Sequence, residues 1–199
     1  MTLRYLVPFD LRKLPSQDTD VLVIGSGLAA LRAAIEASRQ RKVLMVTKAR
    51  KEESNSYYAQ GGIAAALTEQ DSFDSHMEDT MRVSCGLADP GMVEIVVREG
   101  ADRVRELIQW RTPFDREGKK FSLAMEGGHS RARILHKGDR TGAMLSTTLL
   151  KRAGKAENVS IVSDTFVLDL VTHRSACVGA VLWSKEKGLH WVRARTTIL

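Results

Sequence analysis

The stretch Asp20-Val21-Leu22-Val23-Ile24-Gly25-Ser26-Gly27-Leu28-Ala29-Ala30 decides how the rest of the chain is read. Its first five residues are a short apolar, β-branched run, the pattern of a parallel strand buried on both faces. Two glycines break it at once. Leu28 to Arg39 then carries Leu28, Leu31, Ile35 and several alanines, which predicts a helix packed on a sheet, and Lys42 to Thr47 (Lys-Val-Leu-Met-Val-Thr) predicts a second buried strand. Strand, glycine turn, helix and strand make a right-handed βαβ unit. In that setting Gly25-Ser26-Gly27-Leu28-Ala29-Ala30 fits G-x-G-x-x-G/A. The first glycine permits the tight turn, the second lets backbone approach a pyrophosphate, and a small residue at Ala30 lets helix and strand come close. The free N–H groups and positive dipole end of the helix then face the phosphates. These properties predict a dinucleotide site that includes Gly25, Ser26, Gly27, Leu28 and Ala29.

The acidic residue that commonly holds the adenosine ribose after the second strand is absent, and Thr47-Lys48 stands there. Lys48 can meet a 2′-phosphate, or a hydroxyl can hold the ribose while Lys48 contacts the cofactor or its phosphates. A third reading is an ordinary exposed lysine.

Outward from this unit, Ser54 to Gly62 reads as a polar, glycine-containing loop and Ile63 to Leu67 as a short apolar segment. Asp71-Ser72 is a helix cap, with a helix from Phe73 to Ser84. Asp89-Pro90 starts another helix, whose apolar face carries Met92, Ile95 and Val96. Gly100 is expected to divide that helix from a second stretch over Ala101–Trp110. Arg111 to His136 is irregular. Thr141 to Ala153 is helical. The period then changes to short strands at Val159–Val162, Phe166–Thr172, Cys177–Trp183 and Leu189–Val192, with a hairpin turn at Lys185 to Gly188. Thr196 to Leu199 is a further apolar strand segment.

Composition narrows the function classes. The 199 residues are 43% hydrophobic and 27% charged, which suits a globular chain. No run approaches the roughly 20 apolar residues of a membrane span. The first twenty residues lack the uninterrupted apolar core of a cleaved secretory signal. Cys85 and Cys177 show no CxxC spacing, which excludes a disulfide scaffold and a zinc ribbon, and no metal-ligand spacing is present, so no metal is expected. Reduced thiols suit a cytoplasmic setting. The net charge of +6 suits an anionic ligand, but the basic residues are spread along the chain and aromatics are only 6%. Without aromatic interleaving the chain does not read as a nucleic-acid platform.

The loop Ser54-Asn55-Ser56-Tyr57-Tyr58-Ala59-Gln60-Gly61-Gly62 resembles the second FAD-binding loop of the succinate dehydrogenase/fumarate reductase flavoprotein family. The run Tyr57 to Ala65, the segment Asp74-Ser75-His76-Met77-Glu78-Asp79-Thr80, the motif Glu126-Gly127-Gly128-His129-Ser130, and Arg133-Ile134-Leu135-His136 with Asp139-Arg140-Thr141-Gly142 are most similar to its aspartate oxidase branch. The resemblance extends from about Asp20 to Leu199. It implies an α/β, Rossmann-like FAD-binding domain with a β-meander, incomplete at its C-terminus, behind an N-terminal extension over residues 1–19. The strand after Val159 would be the third of the nucleotide sheet, with the meander and then Thr196–Leu199 following it.

The resemblance also implies site residues and a reaction. Lys48, Asn55, Ser56, Tyr57, Tyr58, Ala59, Gln60, Gly61 and Gly62 would join the first glycine turn in holding FAD, and the backbone near Phe166 and Val167 would meet adenine. Asn55 stands where respiratory members carry a histidine bonded to flavin. A carboxamide cannot form that bond, so the FAD would be noncovalent. The implied reaction oxidises L-aspartate to iminoaspartate by hydride transfer to flavin, which oxygen or fumarate reoxidises. The product would feed quinolinate and NAD synthesis, with a possible handover to quinolinate synthase. Glu126 would face the substrate ammonium, which a carboxylate attracts while repelling a bare dicarboxylate. His129 and His136 read chiefly as structural, His76 as lying on a helix face, and Arg131, Arg133 and Arg140 as ion-pairing groups or as partners of flavin phosphates or substrate carboxylates.

In such relatives an Ala-Thr-Gly-Gly turn, a capping domain and the catalytic arginine and histidines follow the strand at which this sequence stops. The expectation is therefore an N-terminal portion that is inactive alone. Three other readings stay open: a fumarate reductase- or succinate dehydrogenase-like flavoprotein, a nicotinamide-dependent reductase using Lys48, and a non-catalytic nucleotide-binding remnant.

Overall fold

A computed structural model describes residues 8–199; the first seven residues of the expected N-terminal extension lie outside the described residues. Two compact units are present. Of the described residues, one comprises 8–57 together with Ser146–Leu199, and the other Tyr58–Leu145.

The first unit is built on a six-stranded sheet. In chain order its strands are β1 (Ser16–Ile24), β2 (Val43–Val46), and, from the C-terminal part, β8 (Val159–Val162), β9 (Thr165–His173), β10 (Ala176–Ser184) and β11 (Gly188–Ile198). The spatial order is β8-β2-β1-β11-β10-β9. β1 is parallel to β2 and to β11, and β2 is parallel to β8. β9, β10 and β11 form the antiparallel meander. Period-two alternation sorts the side chains to two faces. On one face Leu22, Leu44, Val46, Ala180, Leu182, Val192 and Ala194 form a single apolar cluster. Helix α1 (Leu28–Ala37) follows β1 and buries Leu31, Ala34 and Ile35, one stripe at three- and four-residue spacing. All four residues of β2 are buried, as a strand covered on both faces requires.

The second unit contains α3 (Phe73–Val83), α4 (Pro90–Gln109) and short strands β3 (Ile63–Ala64), β4 (Arg116–Glu117), β5 (Lys120–Phe121), β6 (Leu123–Ala124) and β7 (Ile134–Leu135). β3, β7 and β6 make a small antiparallel sheet, and β4 and β5 a hairpin. Two helices run across the division in the chain: α2 (Asn55–Tyr58) and α5 (Thr141–Ala153). The Ser72 hydroxyl accepts from the Ser75 N–H, and Asp89 Oδ1 accepts from the Met92 N–H, so α3 and α4 start where their caps predicted.

The fold corrects four expectations. β1 starts at Ser16, because Ser16 to Thr19 continue the parallel ladder along Trp191 to Ala194. The polar loop holds a helical turn, α2. β11 is one eleven-residue strand rather than two pieces. Its Arg193-Ala194-Arg195 centre alternates as a strand should: Ala194 is buried, while Arg193 and Arg195 reach Asp18 and Asp20. Finally, α4 runs through Gly100 without a break. Its buried stripe is Val93, Val97, Ala101 and Val104, whereas Met92, Ile95 and Val96 are 57%, 48% and 65% exposed. Both stripes fit a helical period. The chosen one continues unbroken past Gly100, which costs only about 1 kcal/mol in a helix.

A Cβ at Gly100 would meet nothing within 4 Å. Gly100→Ala is therefore expected to raise the unfolding free energy by about 0.5–1 kcal/mol, measured by urea denaturation. A loss of stability would mean that the helix is interrupted there.

Candidate functional site

The glycine turn sits where β1 ends. Gly25 donates its N–H to the Val46 carbonyl at 2.8 Å and takes φ +112°, a conformation that side chains rarely adopt. Ser26 and Thr47, both buried, join hydroxyls at 3.3 Å and so tie the turn to the end of β2. Gly27 is the N-cap of α1 and supplies no side-chain cap, and the first turn of the helix carries no acidic residue. The Leu28 N–H donates to Ser56 Oγ at 3.2 Å, and a Cβ on Gly27 would lie 3.3 Å from the same oxygen. The following amides, Ala29 and Ala30, have no acceptor within the helix by geometry. Exposed donors, a positive dipole end and the absence of a nearby carboxylate suit a pyrophosphate.

The end of β2 meets a chain segment distant in sequence. The Thr165 N–H donates to the Thr47 carbonyl and the Asp164 N–H to the Ala49 carbonyl, at 3.0 and 3.2 Å. The start of β9, with half-exposed Phe166, therefore lies beside exposed Lys48. The Thr47 hydroxyl is turned inward onto Ser26, which leaves Lys48 as the outward group of the pair. Asn55, the first residue of α2, is exposed, and Ser56 and Tyr57 are partly covered. The Tyr57 N–H donates to Ser54 Oγ at 3.2 Å, which anchors this helical turn.

In the second unit Tyr58, Ala59, Gln60, Gly61 and Gly62 form an exposed run. Its end is fixed by two contacts. The Gly142 N–H donates to the Ala59 carbonyl at 2.9 Å, and Gly62 presses on β7 so closely that a Cβ would overlap the Ile134 side chain and the Leu135 carbonyl. A Cβ on Gly61 would lie 3.8 Å from Glu126 Oε1. The structure thus brings the exposed Glu126 carboxylate beside Gly61, a meeting of two motifs 65 positions apart that the sequence alone does not display.

Behind Glu126 lies a buried ion cluster. Arg133 is 0% exposed. Its Nη2 donates to Asp71 Oδ1 at 2.7 Å and its Nε to Asp71 Oδ2 at 2.8 Å, a bidentate pair. Its Nη1 donates to Asp79 Oδ2 at 2.8 Å and to His129 Nδ1 at 3.2 Å. A guanidinium only donates, so the His129 Nδ1 must accept, and the ring's proton sits on Nε2. The His76 ring stacks at a tilt 5.7 Å from His129, and its Nδ1 meets no hydrogen-bond partner among the described residues. Burial, with Arg133 and His129 nearby, pushes the His76 pKa down. Burial also opposes the Arg133 charge, but the hydrogen bonds of Asp71 and Asp79 outweigh it and hold its pKa above the usual value. The Ser130 N–H, followed by further donors from Ser130, Arg133 and Arg82, keeps Asp79 well below the ordinary carboxylate range.

Arg133 therefore serves the fold, and a pairing with cofactor phosphates or substrate carboxylates is excluded by its complete burial. Arg131 and Arg140 are exposed. His136 Nδ1 lies 3.3 Å from Asp115, which also takes Lys137 Nζ at 2.6 Å. Asp71 and Asp79 are what sequence reasoning missed: the first reads as a helix cap, and nothing in its spacing announces a buried arginine 62 positions later. Among the described residues no His, Cys, Asp and Glu cluster could hold a metal, and no helix is long and apolar enough to cross a membrane.

Parallel strands leading into a bare glycine turn at a helix N-terminus are the geometry of a dinucleotide-binding domain. Residues 20–199 match the family described as FAD binding domain, and the chain belongs to that family. It is 44% identical over 157 residues to the chloroplastic L-aspartate oxidase of Oryza sativa subsp. japonica, covering 78% of this chain and 24% of that protein. Over 193 residues it is 35% identical to the L-aspartate oxidase of Vibrio cholerae, covering 90% and 36%. The chain thus spans about a quarter to a third of the length of these relatives. Its fold matches Mycobacterium smegmatis Sdh1 in complex with UQ1 with TM-score 0.87 at 33% identity, covering 92% of this chain and 34% of that one. It matches E. coli quinol fumarate reductase with TM-score 0.88 at 25% identity, covering 92% and 32%. The expected fold is borne out, and FAD is the cofactor of the family.

The buried cluster gives a pH signature. The folded-state pKa of Asp79 is depressed, so its contribution is complete above the unfolded value of about 3.9 and declines as pH falls below it. Asp79→Asn is expected to cost about 3 kcal/mol at pH 7, since it leaves Arg133 short of a partner. The difference from the native chain should shrink below about pH 4. Urea titrations at pH 7 and pH 3.5 check this. A pH-independent difference would place the loss elsewhere.

Proposed function

We propose that the chain supplies the FAD cradle and one substrate-facing carboxylate of a flavoprotein that oxidises L-aspartate to iminoaspartate. The observation that carries the reading is the Glu126 carboxylate lying beside Gly61, at the end of the run whose sequence resembles the second flavin loop. The amides at the start of α1 bind the FAD pyrophosphate, with Gly27 and Ser56 shaping that wall. Lys48 and the backbone near Phe166 flank the adenosine. The run from Asn55 to Gly62 meets the flavin, and Asn55 keeps the attachment noncovalent. The flavin supplies a two-electron acceptor for the substrate.

Glu126 pairs with the substrate ammonium and so orients the Cα–H bond that breaks. The same charge repels a dicarboxylate lacking an ammonium, which favours aspartate over succinate. The aspartate oxidase relatives support this choice over a succinate-oxidising one. The product is a reactive imine, which makes a direct handover to quinolinate synthase part of the reading, in a cytoplasmic setting consistent with two free thiols. Oxidation of aspartate belongs to the complete protein. This chain, with residues 20–199 as its FAD-binding part, is proposed to bind FAD weakly and not to turn over alone.

Two measurements test the reading. FAD binding, followed by quenching of flavin fluorescence, is expected for the native chain and weakened at least about tenfold in Gly27→Val, whose branched side chain would crowd both Ser56 and the phosphates. Acid precipitation should release all the flavin. In the complete protein, Glu126→Gln is expected to raise the KM for L-aspartate by about tenfold or more and to narrow the preference over succinate. Equal FAD affinity in Gly27→Val would remove the assigned cradle. Faster oxidation of succinate than of L-aspartate by the native protein would replace the proposed substrate.

A further inference from the structure

The turn that begins at Glu126 is held from behind by two side chains of α3. Asp79 Oδ2 accepts from the Ser130 N–H at 2.7 Å, from the Ser130 hydroxyl at 2.8 Å and from Arg133 at 2.8 Å. Arg82 Nη2 donates to Asp79 Oδ1 at 2.7 Å and to the Gly128 carbonyl at 2.9 Å. The His129 N–H closes the turn on the Glu126 carbonyl at 3.2 Å. Gly128 and Ser130 are thereby fixed to one helix. The turn contains Gly127 and Gly128, so its backbone would otherwise sample many conformations.

The two α3 residues differ in what else they do. Asp79 is buried and pairs with Arg133 as well as with Ser130, so its removal would cost stability as well as loosen the turn. Arg82 is 59% exposed on its side chain, and an exposed ion pair contributes little to stability. Its second contact goes to the Gly128 carbonyl, two residues from Glu126. Exposed arginines ordinarily keep several rotamers. This one bridges a buried carboxylate and a loop carbonyl at short distances, and so ties the loop to α3.

We propose that Arg82, oriented by Asp79, is a positioning residue for Glu126: it sets where the turn places the carboxylate and through it how tightly an ammonium-bearing substrate is held. The proposal rests on the reading that Glu126 faces that ammonium. A displacement of the carboxylate weakens recognition of the amine without touching the electron acceptor, so the effect falls on KM rather than kcat.

The test uses Arg82→Gln and Arg82→Lys, with Glu126→Gln measured alongside. In this chain Arg82→Gln should leave the melting temperature within about 2 °C of native. Amide hydrogen exchange at His129 and Ser130 should become about tenfold faster as the turn loosens. In the complete FAD-loaded protein Arg82→Gln should raise the KM for L-aspartate about five- to tenfold with kcat changed less than about twofold, and Arg82→Lys should recover most of the loss. Native exchange rates in Arg82→Gln overturn the clamp, whatever the substrate. Faster exchange with a native KM, while Glu126→Gln raises KM, overturns the positioning role and leaves the Glu126 reading standing. A native KM in Glu126→Gln defeats that reading, and the positioning role falls with it.

Discussion

The parallel pairing of β1 with β2 on one side and β11 on the other is the constraint on which the first unit depends. It fixes the height at which Ile24 ends, and therefore where Gly25 turns and where α1 begins. The Gly25 N–H to Val46 carbonyl bond and the Ser26–Thr47 hydroxyl pair then tie the turn to the neighbouring strand. Side chains contribute little to the wall proposed to face the FAD phosphates. The donors are backbone amides, so their placement comes from strand register and from the apolar cluster around Leu22 that holds the register.

The second unit uses a different device. Its strands are two residues long and cannot hold a loop by ladder bonds alone. A buried guanidinium shared by two carboxylates does that work instead, joining the loop before α3, α3 itself and the segment before β7. Such a cluster is costly to bury, and removing one member leaves an unpaired charge. It is therefore a poor place for ligand exchange and a good one for fixing a neighbouring turn. The Glu126 carboxylate at the start of that turn is exposed.

Much of the first unit was legible because its signals are local. The apolar run before Gly25, the small residues of α1 and the charged–apolar alternation of the late strands each specify an element within ten residues. The errors came where two local signals competed. Gly100 looked like a helix break, but the stripe from Val93 to Val104 runs on past it. The late strand reads as split between Val192 and Thr196, but Arg193 and Arg195 face outward opposite Asp18 and Asp20. The meeting of Glu126 with Gly61, and of Arg133 with Asp71 and Asp79, was not legible, since each joins segments whose separation no periodicity encodes. The likeness of the motifs to known flavoproteins pointed to the former pair without supplying its geometry.

The pairing of β1 with β11 also bears on the order of assembly. Arg193 reaches Asp18 across 175 positions of chain, and the ladder between these strands runs from Ser16 to Val23. On the ribosome β1 emerges early, with a fully apolar centre and one edge that nothing made so far can cover. Helix α1 and β2 can shelter part of it, but the β11 side stays open until the chain has been made some 175 positions further. Contacts of such long range carry a loop-closure cost and slow the folding step that makes them. During that interval the open edge of β1 is a surface that chaperones, or other unfinished copies, would meet first.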